Sequence, residues 1–277
     1  MVETAVRPRG PYSLALTVRW YGDATRMVRD GTVLAAVPGG LARAWQRPDG
    51  AVVLQGESEQ AVERLRFSLA LDDDHTPFLR RFAHDPLIGE TTRRLRGLRQ
   101  SRVPTVAHAL LRAFCGQLIE SKRARQLEAK IVRAATPALA DSRLHAPPTA
   151  ATFAALAPAG LRAQGLHARR AAALVRICRS SDPERLRALP TEAAARHLER
   201  ERGLGPWSAG VVCLEGLGRP ERGLVGDLGL LKLVSSLRGR RAEAWETEEL
   251  LAPYGEWAGL ASVYLLKGYG LGLVRAA

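Results

Sequence analysis

Along the first seventy residues the apolar positions recur at two periods, and the change between them separates two kinds of element. Leu14, Leu16, Val18 and Trp20 alternate with Ala15, Thr17 and Arg19, the spacing of a half-buried strand. Thr32–Val37 and Ala51–Gln55 are short apolar runs rich in β-branched residues, with Gly39-Gly40 and Pro48-Asp49-Gly50 as turns between them. Over Glu59–Leu71 the spacing becomes helical, with Val62, Leu65 and Leu69 on one face. These patterns predict a small α+β domain over residues 1–75.

The run Asp72-Asp73-Asp74-His75 reads as a solvated linker, and Thr76-Pro77 as a helix start with Thr76 as N-cap. Beyond it the pattern is almost wholly helical. Val106, Leu110, Phe114 and Leu118 step by four, and Leu127 and Ile131 continue a stripe after Ser121. Helices are predicted to start at Asp182-Pro183 and Pro190-Thr191, to open at Pro206, to be capped by Asp227 over Leu228–Leu237, and to close the chain over Glu256–Tyr269. Ala134–Ala163 is rich in Ala and Pro but keeps Phe153, Leu156 and Leu161, so short helices are expected there. The predicted fold class is α+β, with a helical domain over residues 76–277 after the small sheet domain.

Composition narrows the partners. The chain of 277 residues carries 41 Lys plus Arg against 28 Asp plus Glu, a formal charge of +13. Such an excess suits a polyanion, nucleic acid or an anionic membrane surface. No strongly amphipathic basic helix supports the membrane. Three scattered cysteines, Cys115, Cys178 and Cys213, form no Cys-x-x-Cys pair, which argues against zinc ribbons, iron–sulfur clusters and disulfide frameworks. With no signal peptide and no long apolar run, a soluble protein of a reducing cytoplasm is expected.

The segment that carries chemistry is Gly203-Leu204-Gly205-Pro206-Trp207-Ser208-Ala209, set between two predicted helices. Two glycines one residue apart permit a tight hairpin and a close approach of a nucleic-acid backbone. The N–H groups of the hairpin and of the next helix can then hold a phosphate. Shortly downstream stands Asp227, in Val225-Gly226-Asp227-Leu228-Gly229-Leu230.

Hairpin and aspartate together resemble the helix-hairpin-helix DNA glycosylase superfamily, and within it the 3-methyladenine DNA glycosylase II family. There Gly-Ile-Gly-x-Trp-Thr-Ala precedes a catalytic Asp at an Asp-Leu-Gly-Leu-like helix start. Asp85-Pro86, Leu95-Arg96-Gly97-Leu98, Phe114-Cys115-Gly116-Gln117-Leu118-Ile119, Leu161–Ala171 and Ala252-Pro253-Tyr254 extend the likeness over roughly residues 77–270, and loosely over the N-terminal unit, which in the family is TATA-binding-protein-like.

The resemblance implies roles. Asp227, also a good N-cap, would stabilise positive charge on the sugar as the N-glycosidic bond breaks. Trp207 stands where bifunctional relatives place a Schiff-base Lys, so no lyase step is expected, and its ring would stack on a flipped base. Leu118 would fill the gap left in the duplex, with Gln117 facing the orphaned strand. Gly203, Leu204, Gly205, Pro206, Ser208 and Lys232 would contact DNA, with Arg200 and Arg202 near phosphates. Carbonyls near Glu199, Glu201 and Leu204 would hold a Na+ or K+ bridging to phosphate; no side-chain metal site and no required cofactor are expected.

The chain departs from the family at several pocket positions. Val211 stands where some members have Tyr, the aromatic of the last helix aligns near Val263 or Tyr264, Gly255-Glu256 replaces Arg-Ser, and Glu120 replaces Ser. Glu120 becomes a candidate proton donor for a neutral leaving group. Expected partners are damaged double-stranded DNA and no membrane, with the chain as a monomer. A DNA-binding protein of the same fold without useful catalysis is the alternative reading.

Overall fold

The computed structural model describes residues 1–20, 22–139 and 142–274. Near the N-terminus five strands form one antiparallel sheet: β1 (Val2–Val6), β2 (Arg26–Arg29), β3 (Thr32–Val37), β4 (Gly40–Gln46) and β5 (Val52–Gly56), in the order β1-β5-β4-β3-β2. The two glycines expected at a turn close the β3–β4 hairpin, with φ of +96° at Gly39 and +121° at Gly40, where a side chain would be strained. Register places Val33, Ala44 and Leu54 in one row across three strands. That row is buried beneath α2 (Glu59–Ser68), whose Ala61, Val62 and Leu65 complete an apolar cluster.

Leu14–Trp20 is not the strand that its alternation predicts. Leu14–Val18 is a short helix, α1, and Trp20 lies beyond it, 45% exposed. Ser13 caps it through the Leu16 N–H, and Leu14, Thr17 and Val18 are the buried positions, spaced three and four apart. Leu14 and Val18 satisfy both periods, and the cap decides between them. Strands β1, β2 and β4 carry too many polar or small residues to be read from pattern alone.

The acidic junction is not a plain solvated linker. Asp73 pairs with Arg102 and lies 3.6 Å from His75, while Asp72 pairs with Arg66. Asp74 Oδ1 accepts the Thr76 N–H at 2.8 Å, so Thr76 is the first residue of its helix and not its cap. Arg99 ties this junction to the N-terminal segment, donating to the carbonyls of Asp73, Arg9 and Pro11.

The remaining residues form a helical body: α3 (Thr76–Arg81), α4 (Gly89–Arg94), α5 (Val106–Gly116), α6 (Ser121–Ala135), α7 (Ala150–Ala154), α8 (Pro158–Ala163), α9 (Ala168–Ser180), α10 (Thr191–Arg200), α11 (Pro206–Val211, continued by a π-helical turn over Val212–Leu217), α12 (Leu228–Arg238), α13 (Ala244–Leu251) and α14 (Ala258–Gly270). Every residue from Val106 to Cys115 on α5 is buried, making it the central helix. The body has its own apolar core, distinct from the cluster under the sheet.

Two polar side chains on that central helix, His108 and Arg112, are buried together with Glu128 of α6, and Glu215 and Asp23 close the group. Arg112 lies 2.8 Å from Glu128, 3.0 Å from Asp23 and 2.6 Å from Glu215. Asp23, His108 and Glu128 are close enough together to bind a metal, but the guanidinium groups of Arg26, Arg112 and Arg125 already occupy their carboxylates. Burial alone would raise the carboxyl groups, yet Arg112 and Arg125 hold Glu128 and Glu215 below the usual range. Burial likewise opposes ionisation of Asp73, but its bond with His75 and the charge of Arg102 lower it to about 2.

These depressed carboxyls add stability that is fully present above their ordinary values and is lost as pH falls through the folded ones. Melting temperature should therefore hold above about pH 5 and drop as pH falls from about 4 towards 2. A flat melting temperature over that acid range would show that the buried pairs contribute nothing.

Candidate active site

A cleft of about 930 Å³ opens between the hairpin, the end of α5, the start of α12 and one face of α14. Its geometry begins with local turns. After Thr191–Arg200 the chain reverses through Gly203, at φ +102°, and Pro206 opens α11. Leu204 is 6% exposed and anchors the hairpin in the core. Gly203, Gly205, Pro206 and Ser208 line the cleft.

Asp227 stands opposite on the cap of α12. Gly226 precedes it at φ +80°, and its N–H is held by Thr247 Oγ1 at 2.7 Å. One carboxylate oxygen of Asp227 accepts the N–H groups of Gly229 and Leu230, at 2.8 and 3.2 Å. The other accepts the indole N–H of Trp207 at 2.9 Å. Three donors from two elements thus fix a half-buried carboxylate in the cleft, where it needs little reorganisation to face a developing cation. Trp207 in turn packs on Gly116, where a Cβ would come within 2.6 Å of the ring. That contact explains why glycine ends α5.

Leu118 breaks from the stripe of Val106, Leu110 and Phe114, because the helix ends at Gly116. It has φ +58° and is 82% exposed at the cleft mouth, an apolar side chain held out on a strained backbone. Gln117 is turned inward instead: its amide nitrogen donates to the Gly203 carbonyl at 2.8 Å and to Ser208 Oγ at 3.1 Å, tying the Leu118 turn to the hairpin. Glu120 and Lys232 are exposed on the cleft rim.

Of the two positions offered for the aromatic of the last helix, Val263 lines the cleft, and Tyr264 does not. Tyr264 is fully buried, its ring 5.1 Å from Phe78 and its hydroxyl donating to the Leu98 carbonyl at 3.4 Å. The α14 spacing decides this, since Val263, Leu266 and Lys267 share one face and Tyr264 points away.

Sequence reasoning missed the polar end of the cleft, formed by Arg112, Arg125, Glu128, Glu215 and Lys267. A signal existed in His108 and Arg112, four apart on an otherwise apolar helix. The three cysteines are free and buried, and burial pushes the thiols of Cys178 and Cys213 up to about 12, away from nucleophilic use.

No protein-family model matches the chain. A curated relative, the DNA-3-methyladenine glycosylase of Bacillus subtilis, is 27% identical over 226 residues, 78% of this chain and 75% of the relative. Among solved structures, a 3-methyladenine DNA glycosylase from Archaeoglobus fulgidus superposes with a TM-score of 0.81 at 22% identity, covering 98% of this chain and 99% of that one. A Clostridium acetobutylicum 8-oxoguanine glycosylase/lyase bound to double-stranded DNA gives 0.79 at 15% identity, over 98% and 99%. The resemblance to the DNA glycosylases is borne out, and the chain carries the fold of the helix-hairpin-helix DNA glycosylases.

Proposed function

We propose that this protein is a DNA glycosylase that hydrolyses the N-glycosidic bond of damaged, alkylated bases flipped out of duplex DNA. The observation that carries the reading is the Asp227 carboxylate, held by two backbone N–H groups and the Trp207 indole in a cleft beside the hairpin. As the base departs, positive charge grows on the sugar; the fixed carboxylate stabilises it and orients the attacking water. The hairpin backbone with exposed Arg200, Arg202 and Lys232 serves the phosphates, as the charge of +13 favours. By resemblance, the carbonyls of Glu199 in the last turn of α10 and of Glu201 and Leu204 beyond it would hold a Na+ or K+; that of Glu201 also accepts the Leu204 N–H at 3.0 Å.

Trp207 leaves no amine at the place where bifunctional relatives form an imine, so the product is an intact abasic site. DNA methylated in the laboratory should release 3-methyladenine or 7-methylguanine, and borohydride should trap no covalent complex. A trapped complex would overturn the monofunctional reading. The walls of the cleft are aliphatic beside Trp207, with Val211, Leu214, Val263 and Leu266, which favours as a second reading a lesion-binding protein without catalysis. Tight lesion binding with no base released would establish that reading instead.

Leu118 is the wedge of the proposed mechanism. Being exposed, it adds little to stability, so Leu118→Ala should leave the melting temperature unchanged. Excision should nevertheless fall roughly ten- to a hundred-fold, because unstacked bases lose their filler. Unchanged kinetics would remove the wedge.

A further inference from the structure

The end of α5 and the hairpin meet residue by residue. Gly203 rests on Phe114 of α5 and Ala173 of α9, where a Cβ would lie 3.6 and 3.5 Å from their side chains. Trp207 packs on Gly116, the last residue of α5. Gln117 follows, and its amide nitrogen reaches the Gly203 carbonyl at 2.8 Å and Ser208 Oγ at 3.1 Å. A carboxamide has two N–H donors, and here both are spent on the hairpin. Gln117 could donate to an orphaned base only by releasing the hairpin.

The two sides of this contact are held unequally. The hairpin has anchors of its own: Leu204, Ser208 and Ala209 are buried, and Arg176 donates to the Arg202 carbonyl at 3.2 Å. The turn between α5 and α6 has fewer. Leu118 combines a left-handed backbone, φ +58°, with a side chain 82% exposed, so no packing of its own offsets the strain. Among the described residues, neither Leu118 nor Ile119 makes a backbone hydrogen bond that ties the turn to the rest of the chain. The carboxamide of Gln117 is the tie between this turn and the hairpin.

Resting on the glycosylase reading of Asp227, we infer that Gln117 is a positioning residue: it holds the Leu118 turn against the hairpin, so that docking phosphates on the hairpin carries Leu118 into the base stack, and it makes no contact with the orphaned base. The same hairpin carries Trp207, whose indole N–H lies 2.9 Å from Asp227. Wedge, phosphate site and carboxylate therefore share one frame. Such a frame matters for rate, since a misplacement of about 1 Å can cost about a hundred-fold.

The test uses the full-length chain and duplexes with a single 7-methylguanine opposite cytosine or thymine. Single-turnover release is measured for wild type, Gln117→Met, Leu118→Ala and the double variant, with melting temperature and affinity for undamaged duplex on the same preparations. Gln117→Met keeps the length of the side chain and removes both donors. It should slow release about ten-fold, by the same factor opposite either base, with melting temperature and affinity unchanged. The double variant should be no slower than Leu118→Ala, because the tie acts only through the wedge.

Losses that multiply in the double variant, or that depend on the opposite base, would place Gln117 on the orphaned strand and overturn the inference. A lowered melting temperature together with lost duplex affinity would make Gln117 a structural prop of the hairpin, which also overturns it, as would Leu118→Ala releasing base as fast as wild type. Backbone ¹⁵N relaxation of the DNA-free proteins reads the tie without catalysis. The Leu118 N–H order parameter should be about 0.85 in wild type and fall below about 0.6 in Gln117→Met, while Gly203 and Ser208 stay ordered. An unchanged Leu118 order parameter overturns the inference. A fall there, with no base released by any of the four proteins, supports the tie and shows that the glycosylase reading is what has failed.

Discussion

Asp227→Asn should lower base release by about three orders of magnitude while leaving the fold and DNA binding intact. The substitution is nearly isosteric. The Asn oxygen still accepts the Gly229 and Leu230 N–H groups, and Asn caps helices about as well as Asp. What disappears is the negative charge beside the sugar. The indole N–H of Trp207, which points at one carboxylate oxygen, would face an amide that can turn only one oxygen to it or to the cap. Asp227→Ala is the cruder variant, because it also removes the cap, worth about 1 kcal/mol. Activity lost in Ala but kept in Asn would make Asp227 a structural cap and nothing more.

The largest effect on stability is expected at Arg112. Arg112→Met keeps the apolar stem of the side chain but removes the guanidinium, and leaves Glu128, Glu215 and Asp23 buried with only part of their counter-charge, from Arg26 and Arg125. Breaking such a group by removing one partner costs about 3–5 kcal/mol. At about 2–4 °C per kcal/mol for a chain near this size, the melting temperature should fall by roughly 6–20 °C.

The sign of the pH dependence separates this cause from lost packing. In the variant the stranded carboxyls bind protons more readily folded than unfolded, so their destabilisation is relieved as pH falls. The deficit relative to wild type should therefore be smaller at pH 5 than at pH 8. A deficit independent of pH would assign the effect to packing. Since Arg112, Glu128 and Glu215 also line the end of the cleft, the same group that stabilises the body shapes its polar wall.

These two sites were unequally legible in the sequence. Asp227 and the hairpin are local: glycines, a proline and a capping aspartate lie within 25 residues, and each acts through backbone geometry that its own identity imposes. Helices with long apolar stripes, such as α5, could be read for the same reason. The sheet was harder. β1 exposes most of its residues, β4 carries Arg43 and small residues, and Leu14–Val18 fits two periods until Ser13 is seen to cap it.

The polar end of the cleft was hidden because its members are distant in sequence. Arg112 meets Glu215 across 103 residues, and the approach of Lys267 to Trp20 requires the N-terminal unit to lie against the last helix. Tyr264 shows the limit of reading by likeness. A shift of one position on α14 moves a side chain from cleft to core, and only the packing of that helix on Phe78 decides which residue faces in.

The most direct test of the central claim is a single-turnover time course of 3-methyladenine release from methylated duplex DNA, run for wild type and Asp227→Asn with DNA affinity measured on the same preparations. The account predicts release by wild type, release lower by about three orders of magnitude for Asp227→Asn, and equal affinities. Equal release by the two proteins, or none from wild type despite tight binding, would contradict it.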